Sequence, residues 1–153
     1  MKSKRLQVKN LEHSLHDLTH LGDVDTYVNV EDVVRLNREI RSGIEALYPV
    51  EAVDEEEEAS ICILLLQAYG NLMWQDDKDE LRRQSILDRS SNLLSTFPVS
   101  LQRCSLLVYC YGEVYRPELA SEAHTIMDSW QGRELSEKER ELVETLRILE
   151  DCE

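Results

Sequence analysis

The ten residues LLVYCYGEVY (Leu106 to Tyr115) hold three tyrosines, a cysteine and a glutamate, and CILLLQAYG (Cys62 to Gly70) repeats their shape 42 residues upstream. Cys62 matches Cys104, Leu64 matches Leu106, Leu65 matches Leu107, Tyr69 matches Tyr111 and Gly70 matches Gly112. Such a run suits a reactive site, a stacking surface for bases, or core, and one reading must serve both copies. Projected at about 100° per residue, Ile61 to Trp74 is apolar on every side. In the later copy Leu101, Cys104, Leu107, Val108, Tyr111 and Tyr115 share one side, while Leu106, Tyr109 and Cys110 occupy the other. A helix that is apolar all round belongs in an interior. Tyr69 and Tyr111 are therefore expected to fill core, with Gly70 and Gly112 letting neighbouring backbones approach.

The flanking segments are one-sided. Residues 4 to 21 place Val8, Leu11, Leu15 and Leu18 on one stripe, and Gly22 offers a stop. After a loop from Asp23 to Val30, the residues Val33, Leu36, Ile40, Ile44 and Leu47 repeat the pattern until Tyr48-Pro49 breaks it. Gly43 lies beside this stripe, where a close helix crossing can use it. Asp54 to Glu58 opens the third segment with carboxylates that complement the helix dipole. Asp77 and Glu80 read as the capping pair of a fourth helix carrying Ile86, Leu93 and Phe97, closed by Pro98. Pro117 suits the first turn of a sixth helix, whose face holds Leu119, Ala123, Ile126, Met127 and Trp130 before Gly132. Ser136 and Glu139 form a capping box for a seventh, with Leu142, Val143, Leu146 and Leu149.

With five Gly and three Pro in 153 residues, this pattern predicts an all-α protein. The expected architecture is a compact bundle of about seven helices with two central apolar helices, in a single domain spanning residues 1–153. The repeated helical hairpin is also a mark of tetratricopeptide and HEAT-type arrays, so an origin from two helical-hairpin repeats stays open. The full tetratricopeptide signature is absent, and two copies are too few for a solenoid.

Thirty-one acidic against 17 basic residues give a net charge of −14. Phosphate backbones and anionic membranes repel such a chain, which favours a basic protein partner and argues against direct nucleic-acid or membrane binding. Lys2, Lys4, Arg5 and Lys9 gather at the start, but no apolar run of signal-peptide length follows, so a cytoplasmic protein is expected. Cys62, Cys104, Cys110 and Cys152 lack zinc-site spacing and read as small hydrophobes.

Candidate chemistry is sparse. His13, His16 and His20 fall on one helix face and suggest a metal-binding alternative, but one helix presents its ligands in a line where zinc needs a tetrahedron. A solvated polar face is the competing reading. Cys104 or Cys110 with His124 would need tertiary contact to act as nucleophile and base, and nothing in the spacing supplies it. There is no Gly-rich phosphate loop, no G-x-S-x-G and no H-E-x-x-H. No enzyme activity, cofactor or metal is expected. The exposed candidates for a partner are Glu55, Glu56 and Glu57 at a helix start, Trp74 before Gln-Asp-Asp, and Arg133 with Glu134 after Trp130; each has a structural or solvated alternative.

The run EEEEASICILLLQAYGNL, and then residues 85 to 150 from SILDRSSNLL to ETLRILE, resemble the UpxZ family of transcription antitermination antagonists, small proteins of capsular polysaccharide loci in Bacteroides and relatives. The resemblance spans about Asp54 to Glu150, with its densest parts in Leu101 to Glu113 and His124 to Leu135. Upstream, LxxLxxLG and the LNRE of Leu36 to Glu39 are similar. It implies a non-enzymatic inhibitor that binds NusG-like antiterminators, the UpxY proteins of other capsule loci, so that one capsule is expressed at a time. It supplies no residue-level site. A general helical-repeat interaction scaffold is the alternative from another class.

Overall fold

The structure, a computed structural model, describes residues 4–19 and 29–152. Among them are seven α-helices and no strand: α1 (Lys4–Thr19), α2 (Val30–Leu47), α3 (Glu55–Gly70), α4 (Asp77–Leu94), α5 (Leu101–Val114), α6 (Pro117–Asp128) and α7 (Glu137–Asp151). The all-α class and the number of helices are as the periodicity predicts. His20, the stop at Gly22 and residues 23–28 of the expected loop lie outside the described residues. The chain divides into two compact units, Met1–Ile86 and Leu87–Glu153, with the division falling inside α4.

In the first unit α1 packs chiefly on α2, and both pack on α3. The α2 stripe of Leu36, Ile40, Ile44 and Leu47 is buried, as are Leu11 and Leu15 of α1. At Gly43 α1 and α2 approach closely: a Cβ there would stand 2.8 Å from Leu11 Cδ1 and 3.3 Å from Leu11 Cβ. Helix α3 buries Ile61, Cys62, Leu64, Leu65, Leu66, Ala68 and Tyr69 over more than half of its circumference, while Ser60, Ile63 and Gln67 on the remaining side are partly buried. Full burial of each large apolar side chain contributes roughly 1.5–3 kcal/mol. Such a helix therefore holds much of its unit's apolar driving force.

In the second unit α5 is central in the same sense, contacting both α6 and α7. Cys104, Leu107, Val108 and Tyr111 of α5 form a core with Ala120, Ala123, Ile126 and Trp130 from α6 and its end, and with Leu142 and Leu146 of α7. Gly112 accommodates Leu149, whose Cδ1 would lie 3.2 Å from an added Cβ. Arg103 ties this unit together. Its Nη1 donates to the carbonyls of Leu94 and Phe97 at 2.8 and 2.6 Å, closing the end of α4, while Nε and Nη2 donate to both carboxylate oxygens of Glu122.

The two similar stretches thus supply the buried helix of each unit, with Tyr69 0% and Tyr111 1% exposed. Several local expectations need correction. Gly70 has no atom within 4 Å of where its Cβ would be, so it makes no close approach. The central helix stops at Gly70, short of Trp74, because Asn71 caps it: its N–H bonds to the Ala68 carbonyl and its Nδ2 donates to the Gln67 carbonyl at 2.8 Å. Helix α2 already starts at Val30, because the Asn29 side chain accepts the Glu31 N–H at 2.8 Å. The capping pair of α4 is Asp76 with Asp79, one residue earlier than Asp77 with Glu80: the Asp79 N–H donates to Asp76 Oδ1 at 2.9 Å and the Asp76 N–H to Asp79 Oδ2 at 3.0 Å. Tyr115 leaves α5 in a left-handed conformation (φ 51°, ψ 36°), its N–H still bonded to the Tyr111 carbonyl.

Candidate partner-binding surfaces

The six residues read as partner contacts fall in three places. Glu55, Glu56 and Glu57 form the first turn of α3, with Glu55 and Glu56 exposed. Asp54 caps the helix by accepting the Glu57 N–H at 2.8 Å, and Glu57 reaches back to accept the Val53 N–H at 3.2 Å. This reciprocal arrangement makes Glu57 part of the helix start.

Arg133 and Glu134 lie in the turn between α6 and α7. Both Arg133 Nη atoms donate to Glu139, at 2.9 and 2.6 Å, and the guanidinium sits 6.0 Å from the Trp130 ring centroid. Glu139 in turn accepts the Ser136 N–H while Ser136 Oγ accepts the Glu139 N–H, the capping box expected from sequence. The Arg133 hydrogen bonds, followed by the Ser136 N–H, lower the Glu139 carboxyl to about 2 against the opposing effect of burial. Arg133 is therefore engaged in holding the start of α7. Glu134 is exposed, and its carbonyl also accepts from Arg133.

Trp74 belongs to a different kind of structure. In the turn from Asn71 to Asp76 between α3 and α4, Met73 is 54% and Trp74 60% exposed. Their backbone is held from α2: Asn37 Oδ1 accepts the Met73 N–H at 2.8 Å, and Arg41 Nη2 donates to the Trp74 carbonyl at 3.1 Å. Arg41 also makes two hydrogen bonds to Asp79, at 3.2 and 3.1 Å, and Gln75 Nε2 donates to the Tyr69 carbonyl at 2.6 Å. Asn37 and Asp79 are themselves 4% and 2% exposed. Burial alone would raise the Asp79 carboxyl, but the hydrogen bonds from Arg41 and the Asp76 N–H outweigh it and hold it below the usual range. Arg41 is raised in return, mainly by its hydrogen bond to Asp79.

Sequence reasoning found Trp74 but missed Asn37, Arg41 and Asp79, which support it. The acidic pair Asp76 and Asp79 at capping spacing was the one available signal. The tip and the Glu55 to Glu57 turn sit at opposite ends of α3, whose 16 residues extend about 24 Å at 1.5 Å per residue. One small contact patch does not include both.

Below the tip, the Tyr69 hydroxyl is buried without a well-formed hydrogen bond; burial raises its pKa, with the nearby Arg82 guanidinium acting in the opposite direction. Arg82 pairs with Glu45 at 2.7 Å and lies 4.8 Å from the Tyr48 ring centroid. The remaining reactive residue types stay apart. Cys104 is buried with its Sγ toward the Ala123 carbonyl, and burial, then Glu122, pushes its thiol up to about 12. His124 pairs with Glu150 at 2.7 Å instead of a cysteine. His13 and His16 are both exposed beside Asp17, and the described residues include no group of three His, Cys, Asp or Glu arranged to hold a metal. No helix among the described residues is long and apolar enough to cross a membrane.

Among the described residues, fold and surface together define an acidic, all-helical protein of two helical units, with a methionine and a tryptophan more than half exposed on a braced turn. The model of the UpxZ family of transcription anti-terminator antagonists matches residues 8–112, more than two thirds of the chain. The crystal structure of the transcription anti-terminator antagonist UpxZ from Bacteroides uniformis is similar over 98% of this chain and 94% of that one, at 32% identity and a TM-score of 0.84. No curated protein matches. The chain belongs to the UpxZ family.

Proposed function

We propose that this protein is a non-enzymatic antagonist that binds an antiterminator directly in the cytoplasm and so prevents it from supporting transcript elongation. Its targets are NusG-like, UpxY-type antiterminators of other capsular polysaccharide loci, and the outcome is expression of one capsule at a time. The observation that carries this reading is the likeness, over 98% of the chain, to a crystal structure of an anti-terminator antagonist. The charge of −14 supports it: an acidic helical surface attracts the basic partner that a nucleic-acid-associated factor is expected to be, and speeds encounter at low salt. Titration of the protein into purified NusG-like antiterminators from cognate and non-cognate capsule loci, at two salt concentrations, tests the reading. Selective binding to non-cognate proteins supports it. Absence of binding to all of them, with both proteins folded, overturns it.

A further inference from the structure

We infer that the Met73 and Trp74 tip is the anchor of the antagonist, seating in an apolar pocket on the antiterminator whose rim carries lysine or arginine. This rests on the reading that an antiterminator is the partner. Two large apolar side chains adjacent in sequence are both more than half exposed, and a tryptophan in that position has the area and rigidity of a binding hot spot.

The supporting structure is more informative than the exposure. Asn37 and Arg41 both extend from α2 to the tip, one bonding the Met73 N–H and the other the Trp74 carbonyl. Asp79, almost fully buried, fixes Arg41. Burying polar groups is costly unless every partner is in place, and a well-packed apolar set of similar volume would stabilise the fold at least as well. What this network adds is a fixed backbone from which Met73 and Trp74 project. Holding that backbone in place before binding reduces the ordering cost of association.

Charge identifies the occupant. Asp76, Asp77 and Glu80 are exposed just beyond the tip, on a chain of charge −14, so a nucleic-acid strand stacking on Trp74 is disfavoured by phosphate repulsion. A protein pocket with a basic rim is complementary in both shape and charge.

The test compares wild type, Trp74→Ala, Met73→Ala and a Glu55→Gln/Glu56→Gln control, titrated into an antiterminator that the wild type binds, with dissociation followed kinetically. Trp74→Ala should weaken binding about 30-fold or more, chiefly through faster dissociation. Its unfolding midpoint should stay at the wild-type value, because the side chain is outside the core. The glutamine control should alter association rate and salt dependence more than dissociation. Wild-type binding that Trp74→Ala leaves unchanged overturns this inference while sparing the proposed function. Failure of the wild type to bind any antiterminator overturns the function and the inference with it. Self-association of the wild type abolished by Trp74→Ala, without effect on antiterminator binding, would reassign the tip to a contact between copies and overturn the inference too.

Discussion

Arg41 and Asp79, 38 residues apart, form a two-point ion pair of 3.2 and 3.1 Å in which the carboxylate is 2% exposed and the guanidinium one third exposed. The same arginine holds the carbonyl of Trp74, so the pair links the interior of the first unit to the most exposed of its described aromatic residues. Removing Asp79 leaves Arg41 without its partner and Asp76 without its backbone cap. Asp79→Ala should lower stability by about 2–3 kcal/mol, less than a wholly buried pair because Arg41 still reaches water. Chemical denaturation measures the loss. Because the folded Asp79 carboxyl lies below its ordinary value, its contribution is complete above the unfolded value, roughly pH 3.9, and disappears as pH falls through the folded one. Asp79→Asn should flatten that acid limb.

Glu139 offers a second pH prediction. Its carboxyl, held near 2 by Arg133 and the Ser136 N–H, should contribute fully above the unfolded glutamate value, roughly pH 4.3, and be lost progressively as pH falls from there through about 2. A carboxyl-resolved NMR titration should show that low midpoint. In Arg133→Ala the midpoint should rise toward the ordinary glutamate range; an unmoved midpoint would show that Arg133 is not its main partner. Ser136→Ala, which removes the cap of α7, should cost about 1 kcal/mol.

Two glycines should respond in opposite directions to the same substitution. Gly43→Ala drives a Cβ to within 2.8 Å of buried Leu11, and the overpacking should destabilise by about 1–3 kcal/mol despite the helix-propensity gain. Gly70 has open space around it, so Gly70→Ala should be neutral or stabilising by about 0.5 kcal/mol. Thermal melts of the two variants decide; matching losses at both sites would contradict the α1 to α2 crossing at Gly43.

Tyr115 combines backbone strain with a ring contact. Its left-handed φ of 51° costs of order 1 kcal/mol, whereas its edge contact with Tyr111, at 5.2 Å between centroids, returns roughly the same. Tyr115→Gly should therefore change stability little, while Tyr115→Ala keeps the strain, loses the ring and should cost about 1 kcal/mol. Equilibrium unfolding of both variants separates the two effects.

What the sequence made legible was set by physical range. Capping boxes and proline or glycine punctuation act within four residues, so Ser136 with Glu139, Pro117 and Gly132 placed the last two helices closely. All-round apolarity identified α3 and α5 as buried, and with them Tyr69 and Tyr111. The α4 cap was misplaced by one residue because Asp76-Asp77-Lys78-Asp79-Glu80 satisfies the spacing in two registers; the observed one lets Asp79 meet Arg41 from another helix. Arg103 was missed for the same reason, since its partners at Leu94, Phe97 and Glu122 are brought to it by tertiary structure. Trp74 looked like the tail of an apolar helix with an open end; Asn71 converts it into the tip of a turn. The resemblance read from sequence was concentrated between Asp54 and Glu150, whereas the family model matches 8–112. The family match thus includes α2 and most of α1, where the sequence offers only LxxLxxLG and the LNRE of Leu36 to Glu39 as similar stretches.

Calorimetric titration of this protein into NusG-like antiterminators from cognate and non-cognate capsule loci tests the central claim most directly. Direct, selective binding to non-cognate proteins that weakens with added salt, as expected for a chain of charge −14, is the predicted result. Folded proteins that show no heat of binding at either salt concentration, or equal binding to cognate and non-cognate partners, would contradict it.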